Sequence, residues 1–200
     1  RPSREDVLSV FAGLRPLAAP KQGDQKTKEI SRSHKIILSP SNLFTSLGGK
    51  WTTFRKMGED MVNMIEQKLR WTHRKPVTAN LHIHGYSELV NWSDPLHYYG
   101  SDAPFVRQQM NGSSQVWLSE RLHIHKAQIK WAVEHEMARK VEDLLSRRTR
   151  ALLLDARESA RICPEVARLM AQELGKDEQW VQQEIAEYTQ LANRYILQEA

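Results

Sequence analysis

The chain contains only one cysteine, Cys163, among its 200 residues. A single cysteine excludes an internal disulfide and offers no set of thiolates for a structural zinc site. No apolar run approaches the length of a membrane span, and the first residues lack the charged-then-apolar order of a signal peptide. These absences predict a soluble chain and are compatible with a reducing compartment.

Acidic residues are fewer than basic ones, 24 against 29, so the formal net charge is +5. This excess favours anionic partners in general, without choosing among a phosphometabolite, a nucleic acid and a lipid headgroup. The arginines at 147, 148 and 150 have no aromatic platform or DNA-binding motif beside them, and we expect them to pair with carboxylates at helix ends. We therefore predict no nucleic-acid partner.

An apolar, partly aromatic run at 43–47 breaks at Gly48-Gly49, continues with Lys50, and then acquires helical periodicity. The pattern predicts a strand, a tight turn and an amphipathic helix from about Thr52 to Trp71, capped by Thr52 or Thr53. A helix start presents free N–H groups and the positive end of the helix dipole, and Lys50 adds a full charge. We expect this turn to bind an anion.

The glycine turn also allows two other interpretations. A nucleoside-triphosphate P-loop is excluded, because it needs glycine at position 44 and Ser or Thr after the lysine, where the chain has Phe44 and Trp51. An ordinary strand-to-helix turn, with the glycines present for packing, stays open on these residues alone.

The rest of the first 75 residues reads as two further strands and two loops. Val7–Gly13 is mostly apolar and predicts a buried strand that ends before Arg15-Pro16. Residues 18–28 predict an exposed loop, 29–38 a strand with Arg32 and His34 on one face, and 40–42 a turn. The basic, proline-marked segment at 72–78 predicts a linker, with a domain boundary near residue 76.

Beyond residue 76 the apolar residues recur with helical periodicity over long stretches. Residues 125–148 predict one or two helices with an apolar stripe that includes Met137. We expect Pro164 to occupy the first position of a helix that ends at Gly175. We expect Asp177 to cap the last helix. The sequence therefore predicts an all-α bundle without chemistry of its own.

Two H-x-H pairs, His82/His84 and His123/His125, lie in this second part. Imidazoles at this spacing would share a strand face and could bind zinc. Because no H-E-x-x-H motif or third ligand accompanies them, we predict no metal site.

Three motifs in one order carry a resemblance to a known family. They are Ala12-Gly13-Leu14-Arg15-Pro16-Leu17, then Ser31-Arg32-Ser33-His34, then the run from Gly48 to Asp60, which reads GGKWTTFRKMGED. Together they resemble the FAD-dependent glycerol-3-phosphate dehydrogenases, in which such motifs line one active site. The run departs from the family only at Gly58, where alanine is usual, at a helical cost of about 1 kcal/mol.

The resemblance implies a parent enzyme that oxidises sn-glycerol 3-phosphate to dihydroxyacetone phosphate and passes electrons through FAD to quinone. Arg15 and Arg32 would hold the substrate phosphate, and Arg15 and Lys50 would be catalytic, with Lys50 near the reacting oxygen. Gly48, Gly49, Lys50, Trp51, Thr52 and Thr53 would bind the cofactor. An oxygen-using glycerophosphate oxidase of the same family, and a non-enzymatic helical interaction module, stay open as alternatives.

The chain has no G-x-G-x-x-G fingerprint, which an FAD enzyme needs for the pyrophosphate. We therefore expect the C-terminal part of a longer protein, with FAD and the proton-accepting base held mainly by an N-terminal domain, and an isolated chain that is inactive. The expected fold class is α+β: residues 1–75 form strands and one helix of the FAD and substrate region, and 76–200 form a helical domain. The expected location is cytoplasmic, and the resemblance leaves peripheral attachment to the inner membrane face and a homodimer undecided.

Overall fold

A computed structural model describes residues 1–14, 34–111 and 117–198. The chain forms two compact units, one of Gly13–Ile83 and one of Arg1–Ala12 together with His84–Ala200. The fold class is α+β, as predicted. The functional division at residues 75 and 76 stays a prediction.

The smaller unit begins with a β-hairpin. Strand β1 (His34–Leu38) pairs antiparallel with β2 (Phe44–Gly48), with His34 opposite Gly48. The turn closes through a hydrogen bond from the Ser39 N–H to the Leu43 carbonyl, at 3.0 Å. The predicted turn and the described part of both predicted strands are therefore confirmed.

A single turn of 3₁₀-helix, Trp51–Thr53, leads from the hairpin into α1 (Phe54–Leu69). Ion pairs within α1 run from Arg55 to Glu59 at 2.6 Å and from Lys56 to Glu59 at 2.7 Å. The predicted helix is confirmed, but its apolar stripe is not buried within the described unit: Phe54 is 63% exposed. All buried apolar side chains in the described ranges belong to the other unit.

The larger unit is built mainly from helices around one core. Its elements are a 3₁₀ segment (His97–Asp102), α2 (Ala103–Asn111), β3 (Trp117–Ser119), β4 (Ile124–His125), α3 (Lys126–His135), a π-helical turn (Asp143–Arg148), α4 (Ala151–Leu154), α5 (Ala156–Leu174) and α6 (Glu178–Asn193). Leu144, Leu145, Val166 and Met170 are fully buried in this core. The short antiparallel pair of β3 and β4 was not predicted, so this unit is not all-α.

The last two helices begin and end as their polar residues dictate. The Asp177 carboxylate accepts a hydrogen bond from the Trp180 N–H at 2.9 Å, and Gly175 ends α5 in the left-handed conformation, so both predictions are confirmed. The prediction for Pro164 is wrong, because Pro164 lies inside α5. The helix begins earlier, where Asp155 caps it by accepting from the Glu158 N–H at 3.0 Å. Burial of the α5 face outweighs the local cost of the proline.

The predicted strand at Val7–Gly13 is also wrong. The segment forms no strand, and its polar groups bond to the helices of the larger unit instead. The Ser9 hydroxyl donates to the Leu152 carbonyl at 2.9 Å and accepts from the Ala156 N–H at 2.8 Å, and the Val10 N–H donates to the Tyr195 carbonyl at 2.7 Å. The backbone N–H and carbonyl groups of an apolar segment need hydrogen-bond partners when they are buried. The unpaired backbone groups at helix ends can supply these partners as well as a neighbouring strand can.

The segment between α3 and the π-helical turn also differs from the sequence prediction. Met137 has a left-handed backbone with φ of 56° and is 74% exposed, so it lies outside the predicted stripe. The Asp143 carboxylate accepts from the Arg139 and Lys140 N–H groups at 2.9 and 3.0 Å, which caps the next turn. The predicted pairing of helix-end arginines is confirmed for Arg147, which contacts Glu142 at 2.6 Å, and for Arg148, which lies 3.8 Å from Asp143. Within the described residues Arg150 has no carboxylate at ion-pair distance.

The H-x-H pairs do not share strand faces. His84 lies outside any strand and bonds to Asp102 at 2.6 Å. His125 is buried, and its Nδ1 accepts from the Ala127 N–H at 3.0 Å, which caps α3. Within the described ranges no group of three or more His, Cys, Asp or Glu side chains could hold a metal ion.

Candidate functional site

The glycine turn after β2 depends on two consecutive residues with positive φ. Gly48 has φ of 75° and Gly49 has φ of 89°, a region that residues with a side chain adopt at a cost. A Cβ on Gly49 would lie 2.5 Å from Met57 Sδ and 2.9 Å from its Cε. The turn therefore needs glycine both for its backbone and for the packing of α1 against it.

Lys50 follows this turn with an extended backbone, φ −134° and ψ 152°. Its N–H donates to Thr53 Oγ1 at 3.1 Å, and its carbonyl accepts from the same hydroxyl at 2.9 Å. The Thr53 N–H donates to that carbonyl at 2.9 Å as well. The predicted capping of α1 by a threonine side chain is wrong: Thr53 is the N-cap residue, but its hydroxyl faces backwards, to Lys50.

The Lys50 side chain is exposed, and within the described residues no carboxylate lies within ion-pair distance of its ammonium. The nearby cations differ in this respect. Arg55, and after it Lys56, hold the pKa of Glu59 at about 2, and Lys56 also contacts Asp60 at 2.8 Å. Lys50 is therefore the cation of this turn whose charge is not already neutralised in the described structure.

The start of the helical segment adds hydrogen-bond donors. In the described part of the chain, the N–H groups of Trp51 and Thr52 donate to no main-chain carbonyl outside the helix. The Trp51 ring is 90% exposed and lies 6.3 Å from the ring of Phe54. Two free amides, a helix start and an ammonium group together suit a ligand that is anionic and has an aromatic or apolar part.

A histidine–carboxylate pair lies beside the turn. His34 Nε2 is 2.9 Å from Asp60 Oδ2, and His34 Cβ lies 3.5 Å from the position of a Cβ on Gly49. The hydrogen bond from Lys56 lowers the pKa of Asp60. The pair joins β1 to α1 across 26 residues of sequence. At this separation, no local sequence pattern predicts that the two side chains meet.

The predicted site residues fall into two groups. Gly48, Gly49, Lys50, Trp51, Thr52 and Thr53 form one continuous turn in the structure. Arg15 and Arg32 lie outside the described residues. Their convergence on Lys50 stays a prediction.

Sequence reasoning missed a cavity of about 480 Å³ in the larger unit. Asp94, His97 and Arg107 line it. These groups already bind one another: Arg107 pairs with the Asp94 carboxylate, and His97 Nδ1 bonds to the Asp94 carbonyl at 2.9 Å. Because the charged side chains of the cavity are paired with one another, the cavity is less suited to bind an anion than the turn at Lys50.

Residues 91–181 match the family model described as the C-terminal domain of alpha-glycerophosphate oxidase. Over these residues the chain is therefore similar to a C-terminal domain of the glycerophosphate-oxidase type. The resemblance to the glycerol-3-phosphate dehydrogenases is confirmed by relatives that align with most of the chain.

Three relatives show the extent of this similarity. The chain is 32% identical over 191 residues to a probable mitochondrial glycerol-3-phosphate dehydrogenase of Dictyostelium discoideum, covering 84% of the chain and 30% of the relative. The mitochondrial enzyme of Bos taurus is 31% identical over 209 residues, with 91% and 28% covered. A probable mitochondrial enzyme of Caenorhabditis elegans is 33% identical over 196 residues, with 86% and 27% covered. The chain thus spans less than a third of the length of each of these relatives.

Within the described residues, no helix combines the length and the apolar character that crossing a bilayer would require.

Proposed function

We propose that the chain belongs to an enzyme that oxidises sn-glycerol 3-phosphate to dihydroxyacetone phosphate with FAD and passes the electrons to quinone. The observation that carries this proposal is the turn at Gly48–Thr53, where an unpaired ammonium group meets free amides at a helix start. The similarity to glycerol-3-phosphate dehydrogenases extends over most of the chain, which supports the same assignment.

The residues of the turn fit the cofactor that the family uses. The free amides of Trp51 and Thr52 and the charge of Lys50 would favour negative charge at the edge of an isoalloxazine ring. When bound, FAD would supply the acceptor for the hydride that leaves the substrate carbon. The chain would contribute orientation and charge: Lys50 would stabilise the negative charge at the reacting oxygen, and Arg15 and Arg32 would bind the phosphate dianion, for which the guanidinium fork is suited.

The exposed apolar surface of the smaller unit supports the proposal that another domain binds most of the FAD. Val62 is 53% exposed, Leu69 49% and Trp71 63%, all on or just beyond α1. Large apolar side chains exposed in this way are what a surface covered by another polypeptide would present. We propose that the FAD-binding domain covers it and that the isolated chain neither retains flavin nor turns over substrate.

The test is Lys50→Met in the natural protein that contains this chain. We expect a fall in kcat of at least about a hundredfold, because a charge that stabilises the transition state is lost, while the ratio of FAD to protein is retained. Lys68→Met removes an exposed lysine from the same unit and is the matched control. Unchanged turnover in Lys50→Met would refute the role of Lys50.

Arg15→Lys tests the phosphate site in the same protein. A point charge replaces a bidentate fork, so we expect KM for sn-glycerol 3-phosphate to rise more than bound FAD falls. An equal loss of FAD would show that Arg15 serves the cofactor instead.

A second candidate acceptor is oxygen, because the matched family model is named for alpha-glycerophosphate oxidase. Turnover with oxygen would release peroxide in proportion to substrate, whereas the proposed quinone reaction would require an added quinone. Reduction of quinone within a bilayer would require the enzyme to meet the membrane, so we propose a cytoplasmic protein held peripherally at the inner membrane face. Flotation with lipid vesicles, and the mass of the protein in solution, test this attachment and a homodimeric state.

A further inference from the structure

Thr53 occupies the N-cap position of α1 but does not cap it. A threonine at this position normally accepts a hydrogen bond from an N–H of the first turn, worth about 1 kcal/mol. Here the hydroxyl turns back, accepting from the Lys50 N–H at 3.1 Å and donating to the Lys50 carbonyl at 2.9 Å. The first turn of α1 thus receives no bond from this side chain.

The hydroxyl and the N–H of Thr53 together bind both main-chain polar groups of Lys50. On the other side of the lysine, Gly49 is fixed by the packing of Met57 in the space where a side chain would begin. The backbone of Lys50 is therefore held from both neighbours, while its ammonium has no ion-pair partner in the described residues.

We propose that Thr53 is a positioning residue for Lys50, and that its hydroxyl, rather than its contact with a cofactor, is what the site requires. One hydroxyl has a proton to donate and lone pairs to accept, so it can hold an N–H and a carbonyl of the same residue at once. Valine has the same shape and neither capacity, whereas serine keeps both. The proposal rests on the proposed function, because the placement of Lys50 affects turnover only if Lys50 takes part in it.

The experiment compares Thr53→Val and Thr53→Ser in the natural protein that contains this chain. Thr72→Val is the matched control, since Thr72 is exposed, lies beyond α1, and forms no hydrogen bond in the described structure. A misplacement of about 1 Å can reduce rates about a hundredfold, so we expect kcat of Thr53→Val to fall by about tenfold to a hundredfold. KM should change by less than about twofold, because the lysine acts in the transition state. Thr53→Ser should recover most of the loss.

The double variant Thr53→Val with Lys50→Met separates the possible outcomes. If Thr53 acts through Lys50, adding Thr53→Val to Lys50→Met lowers kcat no further. If Lys50→Met reduces kcat but Thr53→Val only lowers the melting temperature, Thr53 is a structural residue and the inference is overturned. If Lys50→Met itself leaves kcat unchanged, the proposed function of Lys50 fails, which is a different result. A full loss in Thr53→Ser would also overturn the inference.

Discussion

Gly100 offers the clearest test of the packing in the larger unit. It has φ of 55° and ψ of −122°, at a kink in the 3₁₀ segment. A Cβ at this position would lie 1.7 Å from the Gly85 carbonyl oxygen and 2.9 Å from its carbonyl carbon. These are backbone atoms, so no side-chain rotation relieves the overlap. The same oxygen accepts a hydrogen bond from the Ser101 N–H at 3.1 Å.

Gly100→Ala should therefore incur three costs. The backbone strain is about 1–3 kcal/mol, the overpacking about 1–3 kcal/mol, and the loss of the Ser101 hydrogen bond about 1 kcal/mol. We expect the free energy of unfolding to fall by about 3–7 kcal/mol, toward the severe end of single substitutions. Urea unfolding followed by tryptophan fluorescence would measure it.

Gly85→Ala is the matched control, because Gly85 also has positive φ, 82°, but its Cβ would meet only the Tyr99 carbonyl oxygen, at 3.7 Å. This variant carries backbone strain alone, about 1–2 kcal/mol. Equal losses in the two variants would show that the close approach of Gly85 and Gly100 is not what the fold requires, and the reasoning would be refuted.

Two further substitutions have expected outcomes. Gly58→Ala should raise the stability of α1 by about 1 kcal/mol, since no heavy atom lies within 4 Å of the new Cβ; hydrogen exchange of α1 amides measures this, and unchanged exchange would contradict it. The hydrogen bond from Arg161, aided by one from Ser119, holds the pKa of Glu158 at about 2, below the 4.5 that is usual for a glutamate. A carboxyl with a lowered folded-state pKa stabilises the fold above about pH 4.5 and loses this contribution as the pH falls toward 2. Glu158→Gln should therefore lose less stability than the unsubstituted chain between pH 4.5 and 2, whereas Glu165→Gln, at an exposed ion pair, should follow the unsubstituted chain; identical acid profiles for all three would contradict the assignment.

The sequence by itself determined the local structure of the candidate site. Two glycines between an apolar run and a helical stripe leave few options besides a strand, a turn and a helix, because the turn needs positive φ and the stripe needs a period near 3.6. The ends of the last helices were equally local, since Asp177 and Gly175 act on the residues next to them. Interactions within a few residues leave their signature in the sequence.

Only the tertiary structure decided where distant segments meet. The apolar run at Val7–Gly13 has the composition of a strand, yet it bonds to helix ends 143 or more residues away. Pro164 has the local signature of a helix start, yet burial of its neighbours carries α5 through it. His34 and Asp60 meet across 26 residues of sequence. Several segments of the chain could bury a given apolar residue or bond to a given backbone group. Which of them does so depends on the whole fold rather than on the neighbouring residues.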